Sequence, residues 1–324
     1  MDYRVGFRPP QFLAGGHRQT LAGFLMRRRL RWPFPFEDVV IDAGEGVRLV
    51  ARATWQERPA ERPSLVLVHG LGGSSESSYA VSAGRLAFSL GWNVLRMNMR
   101  GSGASEPLCP LLYNAGLDTD VVAVVSAVAE RTPRVALLGF SLGANLAVLA
   151  AARSASRLPA GLIGVVVVSP PLDLAAGVAA LERRGNRLYQ RYYVRQLQRD
   201  YRARQQRRPD LFAPGRERGV RTVREFDEKI TAPHGGFRDA DDYYTRSSSG
   251  PWLARVEQPT LVLSAADDPM IPIDSVMRFL PSANGRVRHE VLSTGGHVGF
   301  VARSRAPGFF WAADRALAFL NELA

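Results

Sequence analysis

The chain has almost no cysteine and almost no lysine. One cysteine, Cys109, in 324 residues excludes an intramolecular disulfide and a cysteine-rich zinc cluster. Of 42 basic residues only Lys229 is lysine, and the other 41 are arginine. No apolar run approaches the roughly 18 residues that cross a bilayer. The N-terminus is broken by Arg4, Arg8 and Pro9-Pro10, so it lacks the continuous apolar stretch of a secretory signal. These absences predict a soluble chain of a reducing, cytoplasmic compartment. Hydrophobic content is not lacking: 46% apolar, 22% charged and 9% aromatic residues exclude intrinsic disorder, and the length supports one large core or two modest ones.

Acidic residues are also scarce, and the deficit is local. The net charge is +12, and residues 183–224 alone hold fourteen arginines against Asp200, Asp210 and Glu217, so the rest of the chain is nearly neutral. A charge total of this kind does not by itself indicate a nucleic-acid partner, and none is expected. Arg187, Arg191, Arg195 and Arg199 recur every four residues beside a stripe of Leu188, Tyr189, Tyr192, Tyr193, Leu197 and Tyr201. That spacing predicts an amphipathic helix with a basic outer face, which leaves peripheral contact with an anionic membrane open.

From about residue 36, short apolar runs alternate with helical patterns. Phe36–Asp42 and Val47–Ala53 read as a leading hairpin. Ser64–His69, Trp92–Met97, Val135–Phe140, Gly161–Ser169, Thr260–Ser264 and Arg286–Leu292 read as strands, and the continuous Val/Leu runs among them as strands covered on both faces. Tyr79–Leu90, Gly116–Arg131, Leu142–Ser154 and Pro307–Leu323 have helical spacing. The alternation predicts an α/β fold with a mostly parallel eight-stranded sheet flanked by helices. Residues 1–35 carry few periodic signals and read as an arm laid on the body. Residues 174–250 separate the sixth and seventh strands by far more than one crossover and read as a helical cap, leaving 36–173 and 251–324 as the core.

The sharpest motif is Gly139-Phe140-Ser141-Leu142-Gly143, directly after a buried strand and directly before a strong helix former. A serine at such a corner needs flanking glycines, because side chains there collide with the adjoining strand and helix. This is the pattern of a nucleophile elbow, and the helix directs free N–H groups at the place where negative charge develops. A serine hydroxyl needs a base, and the base an orienting carboxylate. His297, in Gly295-Gly296-His297 after the last strand, is the predicted base. His17, His234 and His289 read as surface or structural, and His69, ending a strand, as structural. Asp268, in Ala266-Asp267-Asp268-Pro269 after the seventh predicted strand, is the predicted acid, with Asp267 as a turn or capping carboxylate and Asp173 as a third candidate. The backbone N–H groups of Leu142 and of Leu71, in His69-Gly70-Leu71-Gly72-Gly73, are the predicted oxyanion donors. That glycine turn lacks the Lys-Ser/Thr of a P-loop and the spacing of a dinucleotide site.

These motifs resemble the α/β-hydrolase superfamily and, within it, the YheT-like hydrolases of the embryogenesis-associated type. The likeness covers nearly the whole chain. It includes Phe7-Arg8-Pro9-Pro10, Gly16-His17-Arg18-Gln19-Thr20, Met99-Arg100-Gly101-Ser102-Gly103 and the segment Tyr113 to Asp120. Beyond the elbow it includes Phe226-Asp227, Asp242-Tyr243-Tyr244 and Gly295 to Phe300. It implies an α/β-hydrolase fold and a serine hydrolase cleaving carboxylic esters, including lipid esters, with neither cofactor nor metal. Thioesters and lactones are alternative substrates for the same residues, and a non-catalytic scaffold binding an anionic surface or nucleic acid through the basic segment is a further one. Phe226, Tyr243 and Tyr244 are expected as core of the cap rather than as substrate contacts.

Overall fold

The computed structural model describes residues 6–26, 30–109, 111–302 and 310–324. Eight strands form one sheet: β1 (Glu37–Asp42), β2 (Arg48–Thr54), β3 (Ser64–Val68), β4 (Asn93–Asn98), β5 (Val135–Phe140), β6 (Leu162–Val168), β7 (Thr260–Ala265) and β8 (Val287–Leu292). Their order is β1-β2-β4-β3-β5-β6-β7-β8. β2 runs antiparallel to both neighbours, and every pair from β4 to β8 is parallel.

Strands β3, β5, β6 and β7 are apolar over most of their length because both faces are covered. Val66, Leu137, Val165, Val167 and Val262 face one core, which contains Val121 and Leu146 from helices α3 (Asp118–Ala129) and α4 (Leu142–Ala152). Leu67, Leu138, Val166, Val168 and Leu263 face the other, with residues of α2 (Ser78–Ser89) and α11 (Trp311–Asn321). The period of two along each strand divides these residues between the layers. The start of the predicted final helix, residues 307–309, lies outside the described residues, as do 1–5 and 27–29 of the arm.

The arm departs from expectation. It contains a ten-residue helix, α1 (Gly16–Leu25), which the periodicity did not show because the residues it buries, Gln19, Thr20 and Gly23, are not large apolar ones. Buried Gln19 ties it down, accepting from the Val301 N–H at 2.7 Å and donating to the Val301 carbonyl at 3.2 Å.

Between β6 and β7 the chain forms α5 (Leu174–Leu181), the long α6 (Arg187–Arg207) and α7 (Val223–Phe226). A π turn, Asp227–Thr231, carries α7 into α8 (Ala232–His234), and α9 (Ala240–Ser247) follows. Asn145 of α4 fastens this insertion to the sheet. Its amide donates to the carbonyls of Ala115 and Ser247 and accepts from the Ser249 N–H, at 2.9 to 3.0 Å. The four arginines of the predicted outer face of α6 are exposed. The predicted apolar stripe does not stay together. Leu188 is 75% exposed, whereas Tyr201 is buried against Phe212. The buried side also holds Val194 and the polar Gln190 and Arg204, whose burial no apolar period could reveal. A short helix, α10 (Ile273–Met277), follows β7.

Candidate active site

Ser141 stands between β5 and α4 with φ 51° and ψ −121°, a conformation costing about 1–3 kcal/mol for a residue with a Cβ. The two elbow glycines make the corner possible. A Cβ on Gly139 would lie 2.5 Å from the Gly143 carbonyl oxygen, and one on Gly143 would collide with the carbonyl oxygens of Val68 and His69. Since β3 and the elbow are backbone on both sides, neither can give way. Gly143→Ala is therefore expected to destabilise the fold by about 2–3 kcal/mol or more, read as a lowered midpoint in urea unfolding; a midpoint within error of wild type would remove this account of the corner.

The structure brings Ser141, His297 and Asp268 together. His297 Nε2 lies 2.8 Å from Ser141 Oγ, and His297 Nδ1 lies 2.9 Å from Asp268 Oδ2. His297 is 9% exposed. The other Asp268 oxygen accepts from the N–H groups of Met270 at 2.8 Å and Ile271 at 3.0 Å, which fixes the carboxylate's orientation. Asp267 serves the same loop from its other side. It accepts from the Thr294 hydroxyl at 2.6 Å and the Gly296 N–H at 2.9 Å, so it holds the turn that carries His297. Asp173 is placed elsewhere, capping α5 through the Ala176 N–H at 3.1 Å and pairing with Arg278. Leu71 and Leu142 both line the cavity at Ser141, and neither N–H donates a hydrogen bond among the described residues.

The other histidines fall where the sequence puts them. His69 is buried, accepting the Met99 N–H on Nε2 at 3.2 Å with Nδ1 2.8 Å from the Gly70 carbonyl oxygen. Burial lowers its pKa to about 4, so at neutral pH it is an uncharged brace beneath the glycine turn. His17 stacks on Tyr189 and His234 on Phe212, while His289 lies within β8.

One contribution is not apparent from the residues one by one. Thr20 of α1 accepts the His297 N–H on Oγ1 at 2.8 Å and donates to the Gly16 carbonyl at 2.7 Å. A Cβ at Gly16 would run into the Asp267 backbone. The arm thus forms one wall of the histidine loop. The sequence signal for this wall is the Gly16-to-Thr20 motif, whose role appears only when residues more than 250 positions apart meet.

Two cavities converge on Ser141 and His297. The inner one, about 110 Å³, lies beneath the insertion and is walled mainly by apolar side chains, Leu174, Val178, Leu181, Tyr193 and Leu197 among them. The outer one, about 230 Å³, opens between α1 and α6 past Phe24, Tyr189 and Tyr192. Phe226, Tyr243 and Tyr244, expected only as core, also line the inner cavity. Asp227 is there too. Burial pushes its carboxyl up to about 6, opposed by hydrogen bonds from Thr231 and from Tyr244, whose hydroxyl donates at 2.8 Å.

The folded Asp227 carboxyl therefore takes a proton at a pH where the unfolded one is still ionised. Its cost to stability is full above pH 6 and fades as pH falls towards the ordinary value of 3.8. Asp227→Asn is expected to raise stability near pH 8 by on the order of 2–3 kcal/mol, the gain shrinking by about half near pH 5. Paired thermal melts across that range check this, and a pH-independent difference would contradict it.

A parallel sheet with one reversed strand, and a strained serine at the β5–α4 corner touching a histidine from the loop after β8, define an α/β hydrolase. The chain belongs to that family: residues 63–303 match the alpha/beta hydrolase fold. Among its relatives it is 30% identical to the protein YheT of Escherichia coli (strain K12) over 95% of this chain and 91% of that one. It is also 30% identical to the embryogenesis-associated protein of Picea glauca, over 91% of this chain and 63% of that one. The monoacylglycerol lipase of Saccharomyces cerevisiae is 30% identical over 80% of this chain, which spans 59% of that protein. Among solved structures, the Pyrococcus furiosus esterase Pf2001 superposes with a TM-score of 0.59 at 16% identity, covering 90% of this chain and 93% of that one. Among the described residues no helix is long and apolar enough to cross a membrane, and no cluster of three or more His, Cys, Asp or Glu residues could hold a metal ion.

Proposed function

We propose that the protein is a serine hydrolase of carboxylic esters, lipid esters included, acting through Ser141, His297 and Asp268, with the helices of 174–250 as its cap. The observation that carries this reading is the continuous chain of contacts from Ser141 Oγ through His297 to Asp268, at 2.8 Å and 2.9 Å. The relative named as a monoacylglycerol lipase agrees with it.

His297 Nε2 takes the Ser141 proton as Oγ attacks the ester carbonyl, while Asp268 holds Nδ1–H and stabilises the imidazolium. The N–H groups of Leu71 and Leu142 receive the oxyanion, each contributing about 10²–10³ in rate. His297 then returns the proton to the departing alcohol, and water repeats the sequence on the acyl-enzyme. The narrower, apolar inner cavity takes the acyl chain, and the outer cavity admits the alcohol. Serine at the elbow makes this acyl transfer rather than displacement by a carboxylate nucleophile. The same attack opens a thioester or a lactone.

A panel of p-nitrophenyl esters of increasing acyl length tests the reading, alongside a matched thioester and a lactone. Wild-type protein is expected to turn over short to medium chains and to be labelled by a fluorophosphonate, with labelling absent in Ser141→Ala. Folded wild-type protein that neither hydrolyses any member nor takes the label would favour a binding scaffold instead.

A further inference from the structure

The mouth of the outer cavity is apolar where a soluble protein is normally polar. Leu21 and Phe24 of α1 are 45% and 48% exposed, and both line this cavity together with Leu188 of α6, which is 75% exposed. Leu25, beside them on α1, is 59% exposed. The positions 21, 24 and 25 follow helical spacing, so they form one outward face. Phe24 packs edge-on against Tyr192, centroids 5.2 Å apart, which joins the two helices into a single rim. Four large apolar side chains around the entrance to a reactive serine form a contiguous patch rather than scattered exposure.

The two segments of this rim carry charge of one sign. Residues 6–26 and 183–199, the segments that build it, contain no acidic residue. Arg18 stands one turn before Leu21, Arg191 one turn after Leu188, and Arg195 one turn further along the same helix; all three are exposed, whereas Arg187 turns to a separate cleft lined by Glu182, Glu225 and Glu228. Apolar side chains bordered by arginines match the interface of an anionic bilayer, where the first enter the acyl region and the second meet headgroup phosphates.

We propose that the α1–α6 rim is a docking surface for an anionic lipid membrane, with Leu21, Phe24, Leu25 and Leu188 entering the bilayer and Arg18, Arg191 and Arg195 facing its headgroups. The outer cavity then opens into the membrane, so that a lipid reaches Ser141 without crossing water. This last consequence rests on the hydrolase reading, whereas the docking itself does not. A second copy of the chain is a poorer occupant, because like-charged arginines would be brought together.

The test uses Ser141→Ala protein, so that binding is read without turnover, in sedimentation with phosphatidylcholine vesicles with and without phosphatidylglycerol. Binding to the anionic vesicles is expected to exceed binding to neutral ones and to fall steeply with added salt. Leu25→Asp and Leu188→Asp are each expected to weaken it about tenfold or more, and Arg191→Gln about fivefold. Both leucines are exposed, and circular dichroism checks that the variants fold. Equal binding to both vesicle types, or binding indifferent to the leucine changes, overturns the proposal. So does an ultracentrifuge run in which Leu25→Asp turns a dimer into a monomer while vesicles go unbound, or retention on DNA in place of vesicles. Failure of wild-type protein to cleave esters counts against the hydrolase reading alone.

Discussion

Ser141→Ala is expected to lower kcat/KM on a short p-nitrophenyl ester by about 10⁴–10⁶, and His297→Ala by a similar factor, with the double variant little worse than either. The serine change removes only Oγ. The Cβ is retained, so the strained φ of 51° and the packing around the elbow persist, and a fall in rate reports loss of the nucleophile rather than of the fold. The histidine change leaves Oγ without a group to take its proton, since His297 Nε2, the proposed base, is in contact with it at 2.8 Å. Non-additivity follows because each group is useless without the other. Steady-state kinetics with matched thermal midpoints would decide it: a Ser141→Ala protein within tenfold of wild type sinks the assignment, and additive losses would mean that the two act separately.

The fold was legible wherever burial was symmetrical. Strands such as Leu162–Val168, buried almost throughout, appear as near-continuous apolar runs, and the helices between them show their period because one side meets a core. The candidate site was legible at the elbow for a related reason: two glycines around a serine, between an apolar strand and an alanine-rich helix, mark a corner where larger side chains would collide. The choice between Asp267 and Asp268 was harder, since adjacent residues share every local signal and differ only in direction. The arm was nearly silent. Helix α1 buries only Gln19, Thr20 and Gly23, none of which a hydrophobic period registers, although Thr20 touches the histidine loop.

Some motif residues carry structure rather than chemistry. Asp120 takes a two-pronged ion pair from Arg100 at 2.7 Å, and Asp118 pairs with Arg153 and accepts from Ser154. These contacts anchor the start of α3 and brace the end of α4, the helix that begins at Ser141. The arginine excess changes meaning in the same way. Arg204 is 2% exposed, packed on Gly101 and donating to the Gly101 and Asp200 carbonyls. Other arginines of α6, such as Arg191 and Arg195, are instead exposed, so one basic helix serves both the interior and the surface.

Asp268→Asn is expected to cost about 10³–10⁴ in kcat/KM, and Asp267→Asn less than about tenfold. Asp268 Oδ2 meets His297 Nδ1 at 2.9 Å while Oδ1 is held by two backbone N–H groups. In the asparagine variant those N–H groups keep the amide oxygen where Oδ1 stood, which turns the NH₂ towards Nδ1. The imidazole then places its proton on Nε2, facing Ser141 with a donor where an acceptor is needed, and the imidazolium loses its counter-charge. Asp267 has a different task. The amide oxygen of an asparagine there still accepts the Gly296 N–H, and the Thr294 hydroxyl can rotate to accept from the new NH₂, so the loop keeps its anchors at a cost of about 1–2 kcal/mol in stability. Rate and melting midpoint thus separate the neighbours in opposite directions: Asp268→Asn falls mainly in rate, Asp267→Asn mainly in stability. Equal rates for the two variants, or the larger loss at Asp267, would reverse the roles assigned to the pair.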